Sequence, residues 1–338
     1  MELLAAISLG GYSGQSQHHR PPRLVAIVSI TAPIFLLIVL GFGAVRSGWV
    51  PREGALAMGR YVLSFALPAL VFNALAKRPL GEILVPEFLV AYAAGSLIAF
   101  ALGVAVSAAL RRTRPLDNAF FGMGVSMSNS GYIGYALVAQ LFGVDVLIAV
   151  AMTMLVEILL IMPLTLILAE LNAQGGRHGV RGALRTVALL VVKNPILQAI
   201  AAGLLCAGFG LRLPAMLGRT VDLLAASAAA VALFAVGGTL SGERLHRGLG
   251  AAAGIAAGKL ILHPAAVLLM LALVPAFDPT LTHAALVLAA LPMVTLFPLL
   301  AQRYGQGEAC ASALLATTLL SFVTLNLGLW ALGMGGMH

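Results

Sequence analysis

Ten apolar runs, each near the length that crosses a bilayer, fill almost the whole chain, and no other feature constrains its fold more. They cover residues 24–45, 57–76, 87–110, 119–142, 145–170, 187–209, 221–241, 249–274, 281–301 and 308–333. A spanning helix needs roughly 20 apolar residues. In lipid the backbone must satisfy its own polar groups, and a helix does so within one segment. The runs therefore predict an all-α integral membrane protein of ten transmembrane helices, with the lipid bilayer as its main partner. The chain is 61% hydrophobic and 9% charged, where soluble domains hold about 45–50% and about 25%. That excludes an ordinary cytosolic enzyme, a disordered chain and a nucleic-acid-binding module. The net charge of +8 comes from basic residues in short loops, where it sets orientation rather than binding nucleic acid.

Thirteen of the 20 Lys and Arg follow odd-numbered spans, six lie on the opposite side, and Lys259 lies inside a span. Basic loops stay in the cytoplasm. The expected location is a bacterial inner membrane, crossed many times, with both termini periplasmic. Residues 1–23 read as a disordered or mis-started tail rather than a secretory signal, because no basic stretch precedes an apolar one. The longest connection, 171–186, is glycine-rich and basic, and reads as a cytoplasmic loop. Cys206 and Cys310 sit in apolar runs and read as packing residues.

The chain repeats itself at an offset of 162 residues. Pro33-Ile34 falls on Pro195-Ile196, Gly41 on Gly203, and Ala139-Gln140-x-x-Gly143 on Ala301-Gln302-x-x-Gly305. Each half, 24–170 and 187–335, holds five runs. An odd number makes the second half enter from the opposite face, which gives the inverted-topology repeat of many secondary transporters. In such folds the site lies near the midplane, where corresponding helices break. The fourth run packs Ser126, Ser128, Asn129, Ser130, Gly131 and Gly134 into its centre. Ser130 falls on Pro292 and Ala136 on Pro298, and Met293 and Thr295 lie between those prolines. Proline removes a backbone donor and glycine loosens a helix. Two broken helices would aim half-helix N-termini at one place, an arrangement suited to a carboxylate.

At these residues the chain resembles the auxin efflux carrier family, which includes bacterial malonate/malate-type permeases and the plant PIN auxin carriers. The resemblance rests on Asn129-Ser-Gly-Tyr-Ile-Gly-Tyr-Ala-Leu137, Leu67-Pro68-Ala-Leu70, Asn194-Pro195, Lys259-x-x-x-His263-Pro264, and Leu291-Pro292 through Tyr304-Gly305. It implies a fold like that of bile acid symporters and sodium/proton antiporters. Spans 1, 2, 6 and 7 would form a scaffold, and spans 3–5 and 8–10 a core holding crossed, broken helices 4 and 9. It further implies organic anions as substrates, Asn129 as the asparagine that touches them, and a homodimer through the scaffold. The family often carries proline where Ala136 stands, so the first break would either be softer or rest on Gly131 and Gly134 alone.

Glu157, Lys259 and His263 fall near the middle of spans, where charge is costly and marks function by default. Glu157 can bind a proton or sodium ion, or pair with Lys259. Lys259 can neutralise a substrate carboxylate, replace a coupling cation, or pair with Glu157. His263, one turn on, reads first as a hydrogen-bonded core histidine and otherwise as part of the charge balance. Gly250-x-x-x-Gly254-x-x-x-Gly258 is a small-residue stripe for close helix packing. Asn73 and Asn326 are candidate cavity liners, and Arg303 is a loop charge. There is no G-x-x-x-x-G-K-[ST] loop and no H-E-x-x-H pair, so no cofactor, metal or catalytic residue is expected, only coupling to H+ or Na+. The expected function is a secondary carrier of small mono- or dicarboxylates, with Asn129, Ser128, Ser130, Gly131, Pro292, Met293 and Thr295 binding substrate. A membrane-embedded sensor that binds without transporting is the alternative.

Overall fold

The computed structural model describes residues 23–111, 115–172, 179–242, 249–295, 297–302, 304 and 307–333. The tail 1–22, Arg303 and Gly305 lie outside them. Every element among the described residues is helical. In chain order the main ones are α1 (Arg23–Arg46), α2 (Arg52–Ala76), α3 (Pro86–Arg111), α4 (Pro115–Ser126), α5 (130–142), α6 (Val144–Asn172), α7 (Gly179–Val192), α8 (Pro195–Phe209), α9 (Ala215–Leu240), α10 (Leu249–Leu273), α11 (Pro279–Ala289), α12 (Phe297–Gln302) and α13 (Gly307–Ala331), with one further helical turn, Leu80–Ile83, between α2 and α3. Seven are long and apolar enough to cross a membrane, namely α1, α2, α3, α6, α9, α10 and α13, and α8 and α11 are shorter apolar helices.

The departures from the apolar runs have local causes. The run 187–209 is two helices, because the Asn194-Pro195 pair closes α7 and opens α8. Asn194 caps α8 by accepting from the N–H groups of Ile196 (2.9 Å) and Leu197 (3.3 Å), with proline at the first helical position. Helix α7 begins inside the segment 171–186 that reads as a loop. Asp278 and Pro279 repeat the same start at α11. Three of the long helices contain a wide π-type turn, at Val62–Ala66, Glu157–Ile161 and Gly258–Leu262. Each ends two residues before a proline: Pro68, Pro163 and Pro264. A proline ring clashes with the carbonyl four residues back, and widening that turn makes room for it.

Packing falls into two sets. Helix α1 lies along α9, while α2 is held between α8 and α9; separately, α3 packs on α4 and α10, and α10 on α13. The tightest approach is between α1 and α9. A Cβ on Gly237 would overlap the carbonyl oxygen of Ile38, and one on Gly41 that of Phe234. In lipid, close backbone approach through small residues is a main source of helix affinity. Gly237→Ala is therefore expected to destabilise the protein by about 3 kcal/mol or more, the upper end of overpacking costs. Gly43→Ala, where a Cβ meets nothing within 4 Å, should leave it unchanged. Thermal unfolding of the two purified variants in detergent checks this. In the small-residue stripe, a Cβ on Gly258 would come within 2.6 Å of Val125 and one on Gly254 within 3.0 Å of Phe121, both on α4, whereas one on Gly250 would meet nothing within 4 Å.

Candidate functional site

The helical path 115–142 is interrupted at Met127–Asn129, upstream of Gly131 and Gly134. The glycines are not what breaks it. Ser128 turns its N–H to Glu157 Oε1 (2.8 Å), and Asn129 turns its N–H to the carbonyl of Pro292 (2.8 Å). Two tertiary acceptors thus replace the i−4 carbonyls, and buried N–H groups go where acceptors are. The helix resumes through a wide turn, Ser130–Gly134, in which Ile133 (3.1 Å) and Gly134 (2.9 Å) both donate to the Asn129 carbonyl. The N–H groups of Ser130, Gly131 and Tyr132 open this helix and have no preceding helical carbonyl to bond.

The second interruption lies between α11 and α12. Pro292 has no N–H to give, and its carbonyl accepts from Asn129. The extended segments of the two breaks meet as an antiparallel bridge between Ser128 and Met293.

The ionisable residues converge on Ser128. An ammonium carries three donors and no acceptor. Three acceptors stand around Lys259 Nζ: the Ala289 carbonyl (2.6 Å), His263 Nδ1 (2.7 Å) and Ser128 Oγ (2.8 Å). With Nδ1 accepting, His263 donates from Nε2 to Ser96 Oγ (3.0 Å). The Ala289 carbonyl ends α11, so the cation sits at the negative end of a helix dipole. Glu157 accepts from Ser128 N–H at one oxygen and from the Ser130 hydroxyl at the other. Glu157 and Lys259 are both buried. No direct ion pair joins them, because Ser128 stands between, its N–H on the carboxylate and its hydroxyl on the ammonium. Both residues lie in π-type turns, a feature frequent at functional sites.

Beside this network is a cavity of about 230 Å3. Ser128, Asn129, Ser130, Gly131 and Glu157 line it, with apolar walls between α2, α6 and α8. Asn129 is 1% exposed; its Nδ2 donates to Thr295 Oγ1 (2.8 Å), and its Oδ1 has no hydrogen-bond partner. An unpartnered buried amide oxygen is costly. Turning the amide over keeps the Thr295 bond, with the hydroxyl donating, and presents the NH2 group to the cavity instead. Asn129 can therefore offer a ligand either an acceptor or donors.

Of the residues expected to bind substrate, Ser128, Asn129, Ser130 and Gly131 line the cavity. Pro292, Met293 and Thr295 do not. They are buried behind it, where they hold Asn129 by its backbone and side chain, and Val294 is the lining residue from that break. Lys259 and His263 also stand back from the lining. Asn326 bonds Thr31 (2.9 Å) and ties α13 to α1, away from the cavity. Asn73 bonds Asp222 (2.8 Å) beside two wider clefts of about 550 and 760 Å3. The ion pairs Lys77–Asp222 (2.9 Å) and Arg78–Asp145 (2.8 Å) border those clefts. Two contributors are not evident from the sequence alone. Tyr92 OH reaches Ser128 Oγ (3.3 Å), and Ser96 holds His263. Their i,i+4 spacing in an otherwise apolar helix is the signal that could have found them.

The sequence matches the family model described as "Membrane transport protein" over residues 26–329. It is 31% identical over 305 residues to a Rhizobium meliloti (strain 1021) protein named "Putative malonate transporter", covering 90% of this chain and 95% of that one. It is 24% identical over 298 residues to the Escherichia coli (strain K12) "Uncharacterized transporter YfdV", covering 86% and 92%. Helices of spanning length, and a family match across nearly all of them, make this a multi-pass membrane protein that belongs to the auxin efflux carrier family of membrane transport proteins.

Proposed function

We propose that the chain is a secondary carrier of small carboxylates that works by alternating access about the paired breaks. The observation that carries this reading is the small cavity at the breaks, faced by an unpartnered buried amide and by the opening N–H groups of α5. Such groups suit a carboxylate. The name of the Rhizobium meliloti relative points to malonate as the first substrate to try.

In this reading the chain crosses the bilayer ten times as two inverted five-span halves. The paired glycines support it. Gly41 seats α1 on α9, and Gly203 seats α8 on α2, where an added Cβ would come within 2.9 Å of Leu75, the same contact with the halves exchanged. Helices α1, α2, α8 and α9 would form the scaffold, and α3–α6 with α10–α13 the moving core. Tyr132 crosses between them, its hydroxyl donating to the Gly59 carbonyl (3.0 Å). The cavity lining runs from the breaks toward Met162, Asn194 and Leu300, the side to which the basic loops assign the cytoplasm. The Lys77–Asp222 and Arg78–Asp145 pairs hold the other end, and they would have to part for the site to open there. Lys259 fills the place of a coupling cation between the α11 terminus and Ser128, so accumulation is expected to proceed without sodium. Glu157, which is among the residues lining the cavity, is the candidate proton site.

The test is uptake of labelled malonate into proteoliposomes, with and without unlabelled malonate inside, under a proton gradient, a sodium gradient or neither. The expected result is saturable uptake that preloading accelerates and that a sodium gradient does not drive. Binding without counterflow would favour a sensor, and sodium-driven accumulation would overturn the role given to Lys259.

A further inference from the structure

Helix α7 belongs to neither the scaffold nor the moving core. It joins the end of α6 to the start of α8, at the face to which the basic loops assign the cytoplasm. With 14 residues it is about 21 Å long, too short for a hydrocarbon core of roughly 30 Å. Unlike α8 and α11, it is not apolar throughout. Val180, Leu184, Val187 and Val191 recur at helical spacing, and Arg181 and Arg185, one turn apart, begin a second stripe beside them.

Packing uses only part of this helix. It lies against the Met162–Asn172 part of α6, and Leu184, Leu189 and Val192 remain 52%, 47% and 69% exposed. Arg185 and Lys193 are exposed too, and among the described residues neither has a carboxylate partner. Lys77 and Arg78, at the opposite face, are by contrast both paired with aspartates. No Asp or Glu occurs between Glu170 and Asp222, so the chain around α7 carries cations alone. Exposed leucines beside unpaired cations suit a surface that is apolar within and anionic at its rim. We infer that α7 is an interfacial helix that binds the headgroups of anionic phospholipids in the cytoplasmic leaflet. An acidic soluble protein would match the cations but not the exposed apolar side chains.

The helix is also tied to the cavity. Lys193 N–H donates to the Leu189 carbonyl (3.1 Å), Asn194 N–H to that of Val191 (3.2 Å), and the Gln198 amide to that of Val192 (2.9 Å). These bonds continue α7 into Asn194, Pro195 and Ile196, which line the cavity. A lipid held by α7 therefore steadies the elbow at that end of the site.

The test follows the unfolding temperature of the purified full-length protein in detergent as dioctanoyl phosphatidylglycerol, dioctanoyl phosphatidylcholine or inorganic phosphate is added. A molecule that binds the folded state raises that temperature. The expected result is that only phosphatidylglycerol does so, and less at high salt. Each cation near an anionic surface contributes about a fivefold gain in affinity. Arg185→Gln/Lys193→Gln should thus need roughly 25-fold more lipid for the same rise, with its unfolding temperature unchanged when no lipid is present. Arg212→Gln/Arg219→Gln removes equal charge near the α8–α9 loop and should respond as wild type does. Equal rises with both lipids would mean that the acyl chains alone bind, and an equal rise with phosphate would mean a free-anion site. Equal losses in the two double variants would mean a general charge effect. Each of these overturns the inference, as does a wild type that no lipid stabilises. Uptake has no part in the readout, so the carrier reading stands or falls separately.

Discussion

Asn129→Ala is expected to abolish saturable malonate uptake while leaving a folded protein. The asparagine stands at the junction of the two breaks, yet its side chain makes a single bond, to Thr295. The bond that holds the break together belongs to its backbone, Asn129 N–H to the Pro292 carbonyl, and alanine keeps it. The folding cost is then that of one neutral hydrogen bond, about 1 kcal/mol. The cost to an anion is larger, because a hydrogen bond to a charged group contributes roughly 1.5–3 kcal/mol. That corresponds to about a 10- to 150-fold loss of affinity. Thr295→Val should weaken binding less, since the amide remains. Counterflow and thermal unfolding on the same preparations separate the two effects, and wild-type uptake by Asn129→Ala would remove Asn129 from the site.

Lys259→Met should be the most damaging substitution in the core. Methionine removes the partner of three buried acceptors and the cation nearest Glu157 at once. Breaking a buried charge arrangement by deleting one member costs about 3–5 kcal/mol. Lys259→Arg should not rescue it, because a planar fork cannot match three acceptors gathered around a point charge. Glu157→Gln in the Lys259→Met background should recover part of the loss, because it removes the carboxylate left uncompensated. A double-mutant cycle on unfolding temperatures is expected to show coupling of about 1–3 kcal/mol. Additive effects would mean that the Ser128 bridge does not link the two charges.

The place of the first break shows where residue type alone falls short. Gly131 and Gly134 are the evident weak points of the fourth run, yet the helix continues through both. It parts at Met127–Asn129, where Glu157 and Pro292 take the backbone donors. Likewise Pro292, Met293 and Thr295 have the pattern of binding residues, and in the structure they stand behind the cavity lining, bonded or bridged to Ser128 and Asn129. The three wide turns are legible in principle from Pro68, Pro163 and Pro264, since the clash is local and its position follows from the ring.

What the sequence determined by itself is what local chemistry dictates. Apolar run length identifies membrane helices, buried ionisable residues mark the site region, proline and glycine punctuate the runs, and the motif order identifies the family. What only the tertiary structure decided is which of these groups meet. Ser128 joins Glu157 on α6 to Lys259 on α10, two residues 102 positions apart in the sequence. In lipid a polar group must find its partner within the protein, and that choice depends on distances between helices that no local pattern encodes.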